Sequence, residues 1–105
     1  MAYVVRTSTG YSGNGAAPAI PLPVSLQNDL VSVSAVTDGG SDIVSIVGNN
    51  GGTWTQRANV SGGDELWIFT CMQGATPDTS ITITWTASER TPYTAAVIRG
   101  ADTTT

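Results

Sequence analysis

The sequence contains no histidine and no lysine, and these two absences exclude several kinds of chemistry. A Ser-His-Asp triad cannot form without histidine, however many serines and threonines are present. A closed transition-metal site is excluded as well, because one cysteine and scattered carboxylates cannot supply its ligands. We therefore expect a protein that is not an enzyme, with no cofactor and no metal required for folding.

Charge is scarce, and positive charge is especially so. Charged residues make up 11% of the chain, against about 25% in an average soluble domain. The four arginines, Arg6, Arg57, Arg90 and Arg99, are dispersed along the sequence, and the net charge is −4. Nucleic-acid binding depends on clustered cations that neutralise phosphates, so we expect no nucleic-acid partner.

Disulfides, leader sequences and long apolar runs are also missing. Cys71 is the single cysteine, so packing must hold the fold. No apolar run approaches the roughly 20 residues that span a bilayer, and the N-terminal segment lacks the pattern of a signal peptide. We expect synthesis in a cytoplasm and no membrane insertion.

The sequence is rich in Thr, Ser, Gly and Asn, and its apolar residues recur with a period of two. The clearest alternation covers Thr79–Thr86, where Ile81, Ile83 and Trp85 are predicted to face the core. Asp29–Thr37 alternates in the same way. Further strands are predicted at Ala2–Thr7, Ile43–Val47, Thr53–Ala58, Glu65–Cys71 and Tyr93–Arg99. The prediction is an all-β fold over residues 1–105, a single antiparallel β-sandwich or jelly-roll-like domain of about six to eight short strands.

Two kinds of segment separate or border the strands. Ala16–Val24 contains three prolines, which restrict it to a sheet edge or an extended lacing segment. Gly10–Gly15 and Gly48–Gly52 are predicted to be loops because of their small residues.

The strand Glu65–Cys71 is apolar on both faces. Leu66 and Ile68 lie on one face, and Trp67 and Phe69 on the other. Such a strand should be central or covered by a neighbour. Cys71 shares the face of Trp67 and Phe69 and is predicted to be a small buried hydrophobe.

Several short motifs occur in a familiar order: "NDLVSVSAVTDGG", "WT" at Trp54-Thr55, "ITITW" at Ile81–Trp85 and "RGADTT" at Arg99–Thr104. This order resembles a β-sandwich module of bacteriophage virion proteins, found in tail fibres and other tail or surface proteins. The resemblance spans nearly the whole chain. It departs at Asn28-Asp29, where Gly-Asp is usual.

The resemblance implies a non-enzymatic virion protein, made in the host cytoplasm, that is a tail or fibre subunit or a decoration protein on the head surface. Its partners would be identical copies or other virion proteins in a multi-copy assembly. Such modules commonly continue beyond "RGADTT". We therefore expect an open sheet edge near Tyr93–Arg99, with Ala95, Val97 or the Trp67/Phe69 face covered by neighbouring subunits.

Two other functions fit the composition. A glycan-binding or host-attachment module would use exposed aromatic and amide side chains, for which Tyr11, Trp54, Asn49 and Asn50 are the candidates. Trp54 also fits a role as a core plug. A bacterial surface or adhesive module of the same fold is the third reading. The full set of possible ligand or partner contacts is Tyr11, Trp54, Asn49, Asn50, Trp67 and Phe69.

Carboxylates offer only weak candidates for a site. Asp38 and Asp42 flank a Gly-rich turn and could give two oxygens to Ca²⁺, which takes six to eight, so a solvated turn is favoured. Asp64-Glu65 with Glu89 could be imagined as a hydrolase pair, but no substrate cleft is indicated.

Overall fold

The computed structural model describes residues 2–11, 19–38, 43–60, 64–86 and 91–100, and the regular structure in them is β-strand. The strands are β1 (Tyr3–Tyr11), β2 (Ala19–Pro21), β3 (Leu30–Asp38), β4 (Ile43–Gly48), β5 (Thr55–Val60), β6 (Asp64–Met72), β7 (Ser80–Trp85) and β8 (Pro92–Arg99). The described residues contain no helix that could span a membrane.

The strands form two antiparallel sheets. The larger has five strands in the order β1-β8-β3-β6-β5, and the smaller has three in the order β2-β7-β4. This confirms the predicted all-β sandwich. The short strand β2, in the proline-containing segment, lies at an edge as predicted.

The core lies between the two sheets. The five-stranded sheet contributes Val31, Val33, Trp67, Phe69, Ala95 and Val97, and the three-stranded sheet contributes Ile20, Ile81, Ile83 and Trp85. The alternation in β3 and β7 therefore predicted the buried faces correctly. Cys71 is also buried, as predicted.

Two tryptophans connect the sheets. Trp67 on β6 and Trp85 on β7 have ring centroids 5.7 Å apart with planes tilted by 58°. Trp67 donates from Nε1 to Thr37 Oγ1 at 2.9 Å, which satisfies its polar group inside the core. The Nε1 of Trp85 is buried and has no acceptor among the described residues.

Most strand ends differ from the prediction by one or two residues, and the end of β1 differs by four. Strand β1 continues to Tyr11, although Gly10 suggested a loop. A Cβ on Gly10 would lie 3.0 Å from the Tyr93 hydroxyl, so this glycine allows a close approach inside a strand. Strand β5 begins at Thr55 instead of Thr53, because Thr53 and Trp54 belong to the preceding loop.

The predicted open edge at Tyr93–Arg99 is wrong. Strand β8 lies between β1 and β3, and Ala95 and Val97 are completely buried by this chain's own residues. Strand β1 occupies the edge instead, because it pairs with β8 on one side and with no described strand on the other. Among the described strands, β1 and β5 are therefore the two edges of the larger sheet.

Candidate functional site

Three of the residues proposed for ligand contact lie together in the loop between β4 and β5. Asn49, Asn50 and Trp54 pack against the segment that precedes β7, and Asp78 is at the centre of this contact. Asp78 is 1% exposed. We call the group of Asn49, Asn50, Gly52, Trp54, Gln73, Asp78 and Thr79 the Asp78 cluster.

The carboxylate of Asp78 is held by N–H donors from the loop. Oδ1 accepts from the backbone N of Asn50 at 2.7 Å and, at 3.4 Å, from that of Gly52. Oδ2 accepts from Trp54 Nε1 at 2.9 Å. The backbone N of Asp78 donates to Gln73 Oε1 at 2.8 Å. Multiple hydrogen bonds of this kind compensate a carboxylate for the loss of water.

Both asparagine side chains in the loop already have intrachain partners. Asn49 donates from Nδ2 to Thr79 Oγ1 at 2.7 Å, and its Oδ1 accepts from the backbone N atoms of Thr79 and Ser80 at 2.8 and 3.2 Å. Asn50 donates from Nδ2 to the Pro77 carbonyl at 2.8 Å. These amides stabilise the contact between two loops, and a glycan would have to compete for them.

The glycines of this loop leave room for the Asp78 carboxylate. A Cβ on Gly48 or Gly52 would overlap that carboxylate, and one on Gly52 would also lie 2.9 Å from Cys71 Sγ. Burial, and then the negative charge of Asp78, raise the pKa of the Cys71 thiol. The thiol is therefore protonated at neutral pH and poorly nucleophilic.

The Asp78 cluster was not predicted from the sequence. Asp78 follows Pro77, and an aspartate in that position usually marks a solvated turn. The only indication was the density of glycine in Gly48–Gly52, which can signal close approach as well as a flexible loop. The role of Trp54 follows from the same cluster. Its ring packs against the core, as in the plug interpretation, and its N–H is used by Asp78.

A second polar contact joins two of the motifs that carried the resemblance. Arg99 of "RGADTT" donates from Nε to Asp29 Oδ1 and from its terminal NH₂ to Asp29 Oδ2, both at 3.0 Å. Asp29 of "NDL" also accepts from the backbone N of Leu26 at 2.8 Å. The hydrogen bonds from Arg99 are the main cause that lowers the pKa of Asp29, although its burial acts in the opposite direction.

Asn28, beside this aspartate, has an unusual backbone conformation. Its φ is +72°, in the left-handed region that glycine adopts without strain and that asparagine tolerates. Glycine could therefore replace Asn28 without a change in backbone conformation.

The other aromatic candidates lie in very different places. Tyr11 is 64% exposed at the end of β1. Trp67 and Phe69 are in the core, 5% and 0% exposed, with stacked rings 6.5 Å apart. Their own chain covers them, so the expectation that they contact a ligand or a neighbouring subunit is corrected.

The acidic candidates do not form a site among the described residues. The side chain of Asp38 lies outside the described part of the chain, as do Asp42 and Glu89. Asp64 is exposed, whereas its neighbour Glu65 is buried and accepts from Asn59 Nδ2 at 3.0 Å. Within the described residues, no group of three potential metal ligands occurs.

The outer face of the five-stranded sheet is a further surface that these contacts leave available. Directly paired residues share a face, and the register places four rows across the sheet. The first row is Val4, Ile98, Leu30 and Met72. The second is Thr7, Ala96, Ser32, Thr70 and Thr55. The third is Thr9, Thr94, Ser34, Ile68 and Ala58. The fourth is Tyr11, Pro92, Val36, Leu66 and Val60.

This outer face is apolar at both ends, and in the middle it is lined with small or hydroxyl side chains apart from Ile68. None of the four rows contains a carboxylate, an ammonium or a guanidinium, and none of their members is fully buried. Val4, Tyr11, Val60 and Leu66 are exposed by 57%, 64%, 60% and 36%. Arg57 reaches the face from the bulge in β5, where its Nε donates to Thr70 Oγ1 at 2.8 Å.

Comparisons of the chain with protein-family models, with curated proteins and with solved structures found no match.

Proposed function

We propose that this chain is a non-enzymatic structural subunit of a bacteriophage virion, in the tail, a fibre or the head surface, and that it acts in a multi-copy assembly. The observation that carries the proposal is the outer face of the five-stranded sheet. A large, nearly uncharged and partly apolar surface marks a protein–protein interface in soluble proteins. The order of motifs described above supports the virion context.

The arrangement of the polar side chains also supports a structural role. The polar groups with the most distinctive contacts, Asp29, Asn49, Asn50 and Asp78, hold parts of this chain to one another. A rigid scaffold whose loops are held by hydrogen bonds is suited to repeated contacts with identical neighbours.

Strand β1 gives the proposal a second contact surface. It is a nine-residue edge strand without proline or lysine, the residues that commonly protect an edge from pairing with another chain. A bulge between Val4 and Arg6 interrupts its register. The segment from Arg6 to Tyr11 remains regular and could pair with an extended strand of a neighbour.

The experiment is immunogold electron microscopy of phage particles from the source culture with an antibody against the purified chain. Regular labelling at a repeated position on the particle is the expected result. Particles without label, from cultures in which the chain is shown to be expressed, would contradict the virion assignment. Native sizing of labelled, gently dissociated particles would then give the number of copies.

The exposure of Tyr11 favours a second candidate, binding of a host-surface glycan. Aromatic rings that are accessible at the end of a strand can stack on sugar faces. A glycan array with the wild-type chain and the Tyr11→Ala variant tests this candidate. Binding that depends on Tyr11 would support it, and an array without signal would exclude the glycans presented.

A further inference from the structure

The four rows of the outer face have a pattern that is its own complement. From the first row to the fourth, the rows are apolar, then small or hydroxyl, then small or hydroxyl apart from Ile68, and then apolar. A two-fold axis in the plane of the face, whether parallel or perpendicular to the strands, therefore places apolar rows on apolar rows. Self-complementarity of this kind is the defining property of a symmetric interface between identical chains.

The net charge of the chain also favours a second copy as the partner of this face. Each chain has a net charge of −4, so two copies repel each other wherever their acidic residues meet. The outer face keeps the acidic residues away from the contact, because its four rows contain no carboxylate. The charged side chain that reaches this face, Arg57, is a cation that donates to Thr70. A basic partner, by contrast, would gain nothing from a face without carboxylates.

The size of the face is adequate for a modest interface. Five strands about 4.8 Å apart and seven residues of about 3.4 Å each give a flat area of roughly 550–600 Å² per copy. Two copies would bury about 1,100–1,200 Å², at the lower end of the range for specific interfaces. Two sheets packed in this way would lie about 10 Å apart, as in a β-sandwich.

A shallow depression of about 240 Å³ lies on this face, lined by Ser34, Val36, Leu66, Pro92, Tyr93 and Thr94. It is smaller than the clefts of about 300–1,000 Å³ that bind small molecules. Its shape suits a single side chain projecting from an opposing sheet.

We infer that the outer face of the five-stranded sheet is the interface of a symmetric pair with a second copy of this chain. The inference rests on the proposed function and specifies which surface begins the assembly. Each copy contributes two sheets, so the pair would have four layers, with the two outer faces packed together in the middle.

The test places a carboxylate in the centre of the face. Thr94 is exposed in the third row, on the interior strand β8, so Thr94→Glu should fold but should bring two carboxylates into the pair. The matched control is Thr82→Glu, which makes the same change on the interior strand β7 of the other sheet. Thr9→Glu, in the same row as Thr94, provides a second variant if Thr94→Glu does not fold.

The measurement is sedimentation equilibrium of the wild type and the three variants over micromolar to millimolar concentrations, with circular dichroism to confirm folding. We expect a wild-type dimer, a dissociation constant raised at least tenfold in Thr94→Glu and Thr9→Glu, and no such change in Thr82→Glu. A wild-type chain that stays monomeric throughout, or an oligomer equally stable in all variants, would overturn the inference. Neither result would alter the labelling of phage particles, so failure here is distinguishable from failure of the virion assignment.

Discussion

At the scale of single residues, the notable positions are those where an ordinary side chain occupies a special environment. Asn28 has a left-handed backbone conformation. Asp29 is buried, and its carboxylate accepts two hydrogen bonds from Arg99. The hydrogen bonds between Asp29 and Arg99 connect the start of β3 to the end of β8.

Replacing Asn28 should separate the effect of backbone conformation from that of the side chain. We expect Asn28→Ala to lower the free energy of unfolding by about 1 kcal/mol, because alanine is strained at positive φ. Asn28→Gly should stay within about 0.5 kcal/mol of the wild type, since relief of strain and the greater freedom of the unfolded chain oppose each other. Urea unfolding measures both changes. A loss in the glycine variant equal to that in the alanine variant would show that the side chain matters more than φ.

The ion pair of Asp29 and Arg99 should make the free energy of unfolding depend on pH in the acidic range. Because the pKa of Asp29 is lower in the folded state, its contribution is fully present above the unfolded value of about 3.9 and is lost as the pH falls through the folded value. We therefore expect the stability difference between the wild type and Asp29→Asn to be largest above pH 4 and to shrink below it.

Thermal unfolding from pH 7 to pH 2 tests this dependence. Asp64→Asn is the control, because Asp64 is an exposed carboxylate at the start of β6. A difference between wild type and Asp29→Asn that stays constant over the whole range would contradict an ionised Asp29 in the folded state.

At the scale of elements, alternation predicted the strands well and their neighbours less well. In β3 and β7 the buried positions follow directly from a period of two, because one face of each strand meets the other sheet. The position of β8 could not be predicted in this way. Strand order depends on long-range pairing with β1, and no local pattern encodes that pairing.

The candidate site shows the same limit. Asn49, Asn50 and Trp54 were selected from the sequence, and they do come together. Asp78, a buried carboxylate from a distant segment, binds Asn50 and Trp54, and the next residue, Thr79, binds Asn49. Local propensities treat aspartate after proline as a turn residue, so its burial becomes visible only when the two loops are placed side by side.

The loop between β4 and β5 should tolerate almost no enlargement at Gly52. We expect Gly52→Ala to destabilise the fold by at least 2–3 kcal/mol, because the new methyl group displaces the Asp78 carboxylate from its buried donors. Gly74→Ala is the matched control, since a Cβ there would meet no atom within 4 Å, and it should change stability by less than about 1 kcal/mol. If chemical denaturation gave the two variants equal changes in stability, Asp78 would be able to move without destabilising the fold.

At the scale of the whole molecule, the two sheets depend on a shared core in which the tryptophans are the largest connection. Trp85 is 2% exposed and contacts Trp67 across the sandwich. We expect Trp85→Ala to lower the free energy of unfolding by roughly 3–5 kcal/mol. Trp85→Phe should cost much less, because it keeps a ring in the cavity and removes a buried N–H without an acceptor. A thermal midpoint unchanged in Trp85→Ala would refute the placement of this residue.

The pairing of β1 with β8 has a consequence for how the chain is made. Tyr11 lies opposite Pro92, so β1, which is synthesised before the other described strands, pairs with β8, the last of them. At a synthesis rate of about 5–20 residues per second, β1 waits roughly 4–16 s for β8. Strand β3 also waits for β8 on one side, although β6 can cover the other side earlier. The larger sheet therefore closes only once β8 has been synthesised, and during that interval β1 exposes both of its edges to other nascent copies on the same messenger RNA.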